Sequence, residues 1–137
     1  MRELLAKLFP RWFKSAPPTS TTLPTGQWAE NTAKDHLQNR GLRFNESNYR
    51  CKLGEIDLIM QDKETLVFVE VRSRNNSRFG SGLESVNQYK QAKLIRAAKH
   101  YLQTKRLYDK CQCRFDVVSV SKQDSAVEWI ANAFEAH

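Results

Sequence analysis

Two acids stand among residues that otherwise belong to a core. In GEIDLIMQDKETLVFVEVRSR, residues 54–74, Asp57 and Glu70 are set between Ile, Leu, Val and Phe. Gly54 to Met60 and Thr65 to Arg74 each alternate polar and apolar positions. The polar stretch Gln61 to Glu64 suits a turn, so the segment reads as a β-hairpin. With an even loop and no bulge, Asp57 lies opposite Phe68 and Glu55 opposite Glu70, and Glu55, Asp57, Phe68, Glu70 and Arg72 share one face. Ile56, Leu58, Met60, Val67, Val69 and Val71 make the other, an apolar surface for a helix. Opposed carboxylates repel by several tenths of a kcal/mol even when exposed. A hard divalent cation offsets this, Mg2+ above all, because it takes a few carboxylate oxygens and keeps waters that a phosphate can displace. Ion pairs with Arg72 and Arg74 offset it too. The spacing leaves both readings open.

Other side chains are placed to join this region. Glu30 is followed at helical intervals by Ala33, Lys34 and Leu37, which sets its carboxylate at the edge of an apolar stripe; a solvated or Lys34-paired glutamate is the alternative. Lys90 lies four residues after Val86 and four before Leu94, so its stem follows the apolar side of a helix while its ammonium reaches toward the sheet. The loop RNNSRFGSG, residues 74–82, presents Arg74 and Arg78, and Lys93, Arg96, Lys99 and His100 make most of the next helix basic. Such surfaces approach phosphate backbones readily, and they also occur as plain solvated loops and faces.

The elements that must hold these residues follow from periodicity. Ala29, Ala33 and Leu37 recur at helical spacing from Gly26, with Gly41 as the stop after Arg40. A strand follows over Leu42 to Arg50, then the hairpin, a second helix over Val86 to Thr104 with Val86, Leu94, Ala97, Ala98 and Tyr101 on its apolar side, a strand over Arg114 to Val120 and a short one over Val127 to Ile130. This order predicts an α/β domain with helices packed on a mixed sheet.

At 137 residues the chain fits one domain. Its 22 basic and 15 acidic residues give a net charge of +7, which favours polyanions such as nucleic acid or anionic lipid. No apolar stretch approaches the roughly 20 residues of a membrane span, so integral membrane association is not expected. MRELLAKLFPRWFK resembles a basic amphipathic helix limited by Pro10, and SAPPTSTTLPT resembles a linker. The expected organisation is a loosely ordered tail and linker over 1–25 and a domain over 26–137; the tail is alternatively a membrane-surface or partner-docking segment. No signal peptide is expected, and the odd count of Cys51, Cys111 and Cys113 suits free thiols in the cytoplasm. The gap between Cys111 and Cys113 is short for a zinc pair, so the cysteines are expected as small buried hydrophobes. His36, His100 and His137 are scattered, and no Ser-His-Asp, Cys-His or Gly-rich phosphate motif is located by spacing.

Taken in order, GEIDLI, LVFVEVRSR, FG, the Lys-bearing helix ending in AAKHYL, CRFDVVSV and VEWIANAF resemble the YraN family of bacterial proteins, within the PD-(D/E)XK nuclease-like superfamily. The resemblance covers residues 26–134. It implies a restriction-endonuclease-like fold, a mixed central sheet flanked by helices. It also implies a Mg2+ site, with Mn2+ as a substitute, formed by Glu30, Asp57 and Glu70. Arg72 stands where the superfamily has a lysine, and Lys90 looks like the helix residue that supplements such sites. Catalytic roles would then fall to Asp57, Glu70, Arg72 and Lys90, and nucleic-acid contacts to Arg74, Arg78 and Lys93. Arginine stays charged in essentially any protein setting and cannot act as a base, though it can clamp a phosphate. The implied activity is metal-dependent hydrolysis of DNA. The alternatives are a nucleic-acid-binding module without cleavage, or an interaction role led by the N-terminal segment. The sequence does not set the oligomeric state, and a dimer is compatible with it.

Overall fold

The computed structural model describes residues 25–75 and 86–136. The expected basic tail and linker, most of the loop after Arg74 including Arg78, and His137 lie outside the described residues. Helix α1 (Thr25–Asn39) buries Ala29, Ala33 and Leu37. It ends where Gly41 takes φ 101° and the Leu42 amide bonds back to the Leu37 carbonyl at 3.1 Å, a left-handed stop that a side chain would resist. Strands β1 (Arg43–Cys51), β2 (Gly54–Asp62) and β3 (Thr65–Arg74) run antiparallel in succession. Helix α2 (Gln88–Thr104) then carries the chain across to β4 (Gln112–Ser121), which pairs parallel with β3, and β5 (Val127–Phe134) closes the sheet antiparallel to β4. Spatial order equals chain order, and α2 supplies the crossover that a parallel pair requires. This is the expected α/β arrangement, a mixed five-stranded sheet flanked by helices, with its strands running further than the sequence pattern indicated.

Both faces of the sheet are packed. Against α1 lie Leu58, Met60, Val67, Val69, Val118 and Val120; against α2 lie Ile56, Ile59, Leu66, Phe68 and Phe115. Phe68 stacks on Phe115, ring centroids 5.6 Å apart, and meets Tyr101 of α2 edge-on. Strands covered on both faces need apolar residues in both phases of the pleat, which is why β3 is buried without interruption from Leu66 to Val69.

Three expectations are corrected here. The hairpin pairs Leu58 with Val69, Ile59 with Phe68 and Asp62 with Thr65, so Asp57 does not face Phe68 and Glu55 does not face Glu70. The loop is the two residues Lys63 and Glu64, with Lys63 at φ 56°, and the shorter turn slides the register by two residues while keeping each side chain on its face. Ile56 leaves the apolar row of Leu58 and Met60 and packs on the α2 side, because alternation breaks at Asp57. The neighbouring level of β1 holds Asn48 at φ 54°. Finally, Cys113 is exposed and Cys51 and Cys111 are only partly buried, so the cysteines are not the buried residues expected.

Candidate functional site

The acids meet where two strands part. Beyond Leu58↔Val69, β2 continues to pair with β1 through Ile56, Glu55 and Gly54, and β3 continues to pair with β4 from Glu70 to Arg74. Asp57 and Glu70 are the first residues past that fork. The Val71 amide donates to Asp57 Oδ2 at 2.8 Å, so a carboxylate replaces the lost strand partner and is fixed by doing so. Glu70 shares a hydrogen bond with Asp57 and accepts one from Arg72 Nη1 at 3.3 Å.

The electrostatics follow from crowding. Burial and then the neighbouring Glu70 push Asp57 up to about 8; the Val71 amide opposes the rise, and Glu30 and Glu55 add to it. Burial also raises Glu70, opposed by Arg72, by its hydrogen bond with Asp57 and by Lys90. Two carboxyl groups this close behave as one site holding a proton between them. Glu30 lies at the edge of the same field: burial raises it, a hydrogen bond from Asn48 lowers it, and Glu55, Arg50 and Glu70 act on it through space. Asn48 is thus placed by its left-handed backbone, which Asn tolerates better than most residues, to steady the helix glutamate.

Around the pair opens a cleft of about 540 Å³, walled by Arg50, Lys52, Glu55, Arg72, Lys90 and Lys93. The turn before β2 is held against α2 at Gly54, whose φ is 154° and whose missing Cβ would lie 3.0 Å from the Lys93 carbonyl oxygen. Lys90 and Lys93, on the first two turns of α2, therefore face the hairpin acids across the cleft.

The sequence-predicted residues divide accordingly. Asp57, Glu70, Arg72, Lys90 and Lys93 line one cleft, with Glu30 acting on its acids. Arg74 does not join them. Expected at a nucleic-acid surface, it is only 6% exposed and turned into the β4–β5 side, donating to Ser119 Oγ at 2.7 Å and to the Ala126 carbonyl at 3.2 Å. Sequence reasoning missed Asn48 and Asp116. Asp116 is fully buried and accepts from Arg114, the Trp129 indole and the Asn132 amide, while Arg114 also binds Asp62 at 2.9 Å. Its signal, an acid among valines in a strand, is the one that marks Asp57; the partners differ, and here they make a structural tie.

Hard carboxylate oxygens that repel one another are the kind of ligand that Mg2+ takes. Among the described residues no group of three or more His, Cys, Asp and Glu is poised to hold a metal on protein ligands alone. Mg2+ usually binds through one or two carboxylates, with waters and phosphates completing its shell. A second groove of about 560 Å³, floored by Phe68, Phe115 and Phe134, carries two acids, Asp109 and Glu135, and both are exposed.

The pattern of the uncharacterised protein family UPF0102 matches residues 29–120, which include Glu30, Asp57, Glu70, Arg72, Lys90 and Lys93. A UPF0102 protein of Nitrosococcus oceani is 50% identical over 111 residues, covering 80% of this chain and 90% of its own length. One from Legionella pneumophila subsp. pneumophila is 46% identical over 115 residues, 84% of this chain and 98% of its own. One from Pseudomonas fluorescens is 43% identical over 119 residues, 87% and 99% respectively. The chain belongs to UPF0102, the YraN family that its ordered motifs resemble.

Proposed function

We propose that this protein binds nucleic acid along the acidic cleft and, with Mg2+ held by Asp57 and Glu70, hydrolyses phosphodiester bonds in DNA. The observation that carries the reading is the carboxyl pair at the strand fork, charged at a cost and faced by Lys90 and Arg72. When bound, Mg2+ would neutralise phosphate charge and make water a better nucleophile. The chain's own residues do the rest. The Val71 amide locks the Asp57 carboxylate in one orientation, and Arg72 steers Glu70. Lys90 extends from α2 to meet a non-bridging phosphate oxygen. Arg72 remains charged throughout and stabilises the charge that develops on phosphate rather than taking a proton. Glu30, steadied by Asn48, orients water at the rim.

A second reading, nucleic-acid binding without cleavage, is favoured by one feature: the position of the superfamily lysine holds Arg72, with its guanidinium bonded to Glu70. Calorimetric titration of Mg2+ and Mn2+ is expected to show binding to the wild type and none to Asp57→Ala. Equal binding to both overturns the site. Metal-dependent cleavage of branched or single-stranded DNA, lost in Asp57→Ala, supports hydrolysis; salt-sensitive DNA binding with no cleavage under any metal selects the second reading.

A further inference from the structure

We infer that Tyr89 is a stacking platform for an unpaired base at the mouth of the cleft, so that the nucleic acid taken here is single-stranded or locally unpaired. The inference rests on the nucleic-acid reading of the cleft. Tyr89 is the most exposed large apolar side chain among the described residues, at 69%, although it sits on the first turn of α2 immediately before Lys90. At that exposure the ring adds little to the core formed by the described residues. Its place is specific: Lys93, a wall of the cleft, holds its ammonium 5.6 Å from the ring centroid. The ring is thus tied to the cleft rim by a cation, and its exposed surface remains to receive a planar partner.

A second apolar side chain is exposed next to the segment that packs on Lys93. Leu53, 46% exposed, follows Lys52 and precedes Gly54, which packs against Lys93. Apolar surface is thereby interleaved with Lys52, Lys90 and Lys93, which suits a strand whose phosphates are held by ammonium groups and whose bases rest on rings and alkyl chains. Duplex DNA offers no base face to Tyr89, because its bases are stacked on one another. An unpaired nucleotide does, whatever its sequence, since every base has a π-face.

The test uses the full chain in EDTA, so that metal binding plays no part. Binding of a mixed-sequence single-stranded DNA oligonucleotide and of the matching duplex is followed by fluorescence anisotropy. A single 2-aminopurine in the strand reports stacking. Tyr89→Ala is expected to weaken single-strand binding between about 5- and 150-fold, the range for losing one base–aromatic stack, and to abolish 2-aminopurine quenching. Duplex binding should change less than about twofold. Tyr89→Phe should restore wild-type behaviour, and unchanged urea melts of all variants confirm folding. If the strand and the duplex bind equally and Tyr89→Ala changes neither, the inference falls while the cleft's nucleic-acid role stands. If the wild type binds neither, both fall.

Discussion

Moving from pH 5 to pH 9 without divalent cations is expected to destabilise this protein through Asp57 and Glu70. Asp57 rises from its ordinary 3.8 in the unfolded chain to about 8 in the fold, by burial first and Glu70 second. A carboxyl whose folded pKa is raised gives stability that is full below the unfolded value and is lost as pH climbs through the folded one. At 1.36 kcal/mol per pH unit, the roughly three units between pH 5 and the folded value of about 8 set a ceiling of about 4 kcal/mol over this range. Water in the open cleft screens the pair and brings the expected loss to about 2–3 kcal/mol. Charges facing the pair come from every side: Glu30 on α1, Glu55 on β2, and Arg72 and Lys90 from β3 and α2. The assay is urea denaturation at several pH values in EDTA, comparing the wild type with Asp57→Asn. Asparagine keeps an oxygen for the Val71 amide and removes the charge. The wild type should lose about 2–3 kcal/mol relative to the variant over this range. Mg2+ at a hundred times its Kd should restore about 2.7 kcal/mol at pH 9 to the wild type alone. A difference between the two proteins that stays flat from pH 5 to pH 9 would refute the shared-proton account.

Three other outcomes are expected. Gly54→Ala, which places a Cβ 3.0 Å from the Lys93 carbonyl at φ 154°, should cost about 1–3 kcal/mol in urea melts; no measurable change would mean that the turn is not pinned to α2. Arg114→Ala should cost about 3–5 kcal/mol in the same assay, because it leaves the fully buried Asp116 with neutral donors only. Arg114→Lys should recover only part, since an ammonium cannot reproduce the guanidinium fork. Lys93→Ala should lower the slope of log affinity for DNA against log salt by about 0.7–0.9; an unchanged slope would place Lys93 away from phosphate.

The elements were legible because α1, the hairpin and α2 carry strong periodic patterns, and Asp57 and Glu70 stood out because acids interrupt apolar strands. What the sequence hid was turn chemistry and long-range partnership. The hairpin turns on Lys63 in a left-handed conformation, without the Asn-Gly or Asp-Gly signal that marks a two-residue loop, so the sequence pattern alone points to a register two residues away from the observed one. Arg74 reads as the start of a basic loop, yet its partners stand 45 and 52 positions further along. The burial of Arg74 depends on β4 and β5 being present. Ile56 changes face at a break in alternation that no local pattern announces. Tyr89 carries no signal of its own in the sequence, and only its exposure beside Lys93 separates it from the core aromatics.

The Val71 amide, held by a side chain where its neighbours are held by strands, gives the cleft an internal gauge. A proton bound to a carboxylate oxygen feels every change in that oxygen's charge, so the resonance of this one backbone group should track titration and cation loading at the fork. A single spin then reports occupancy of the acids apart from events elsewhere in the cleft, and it does so in the unmodified protein.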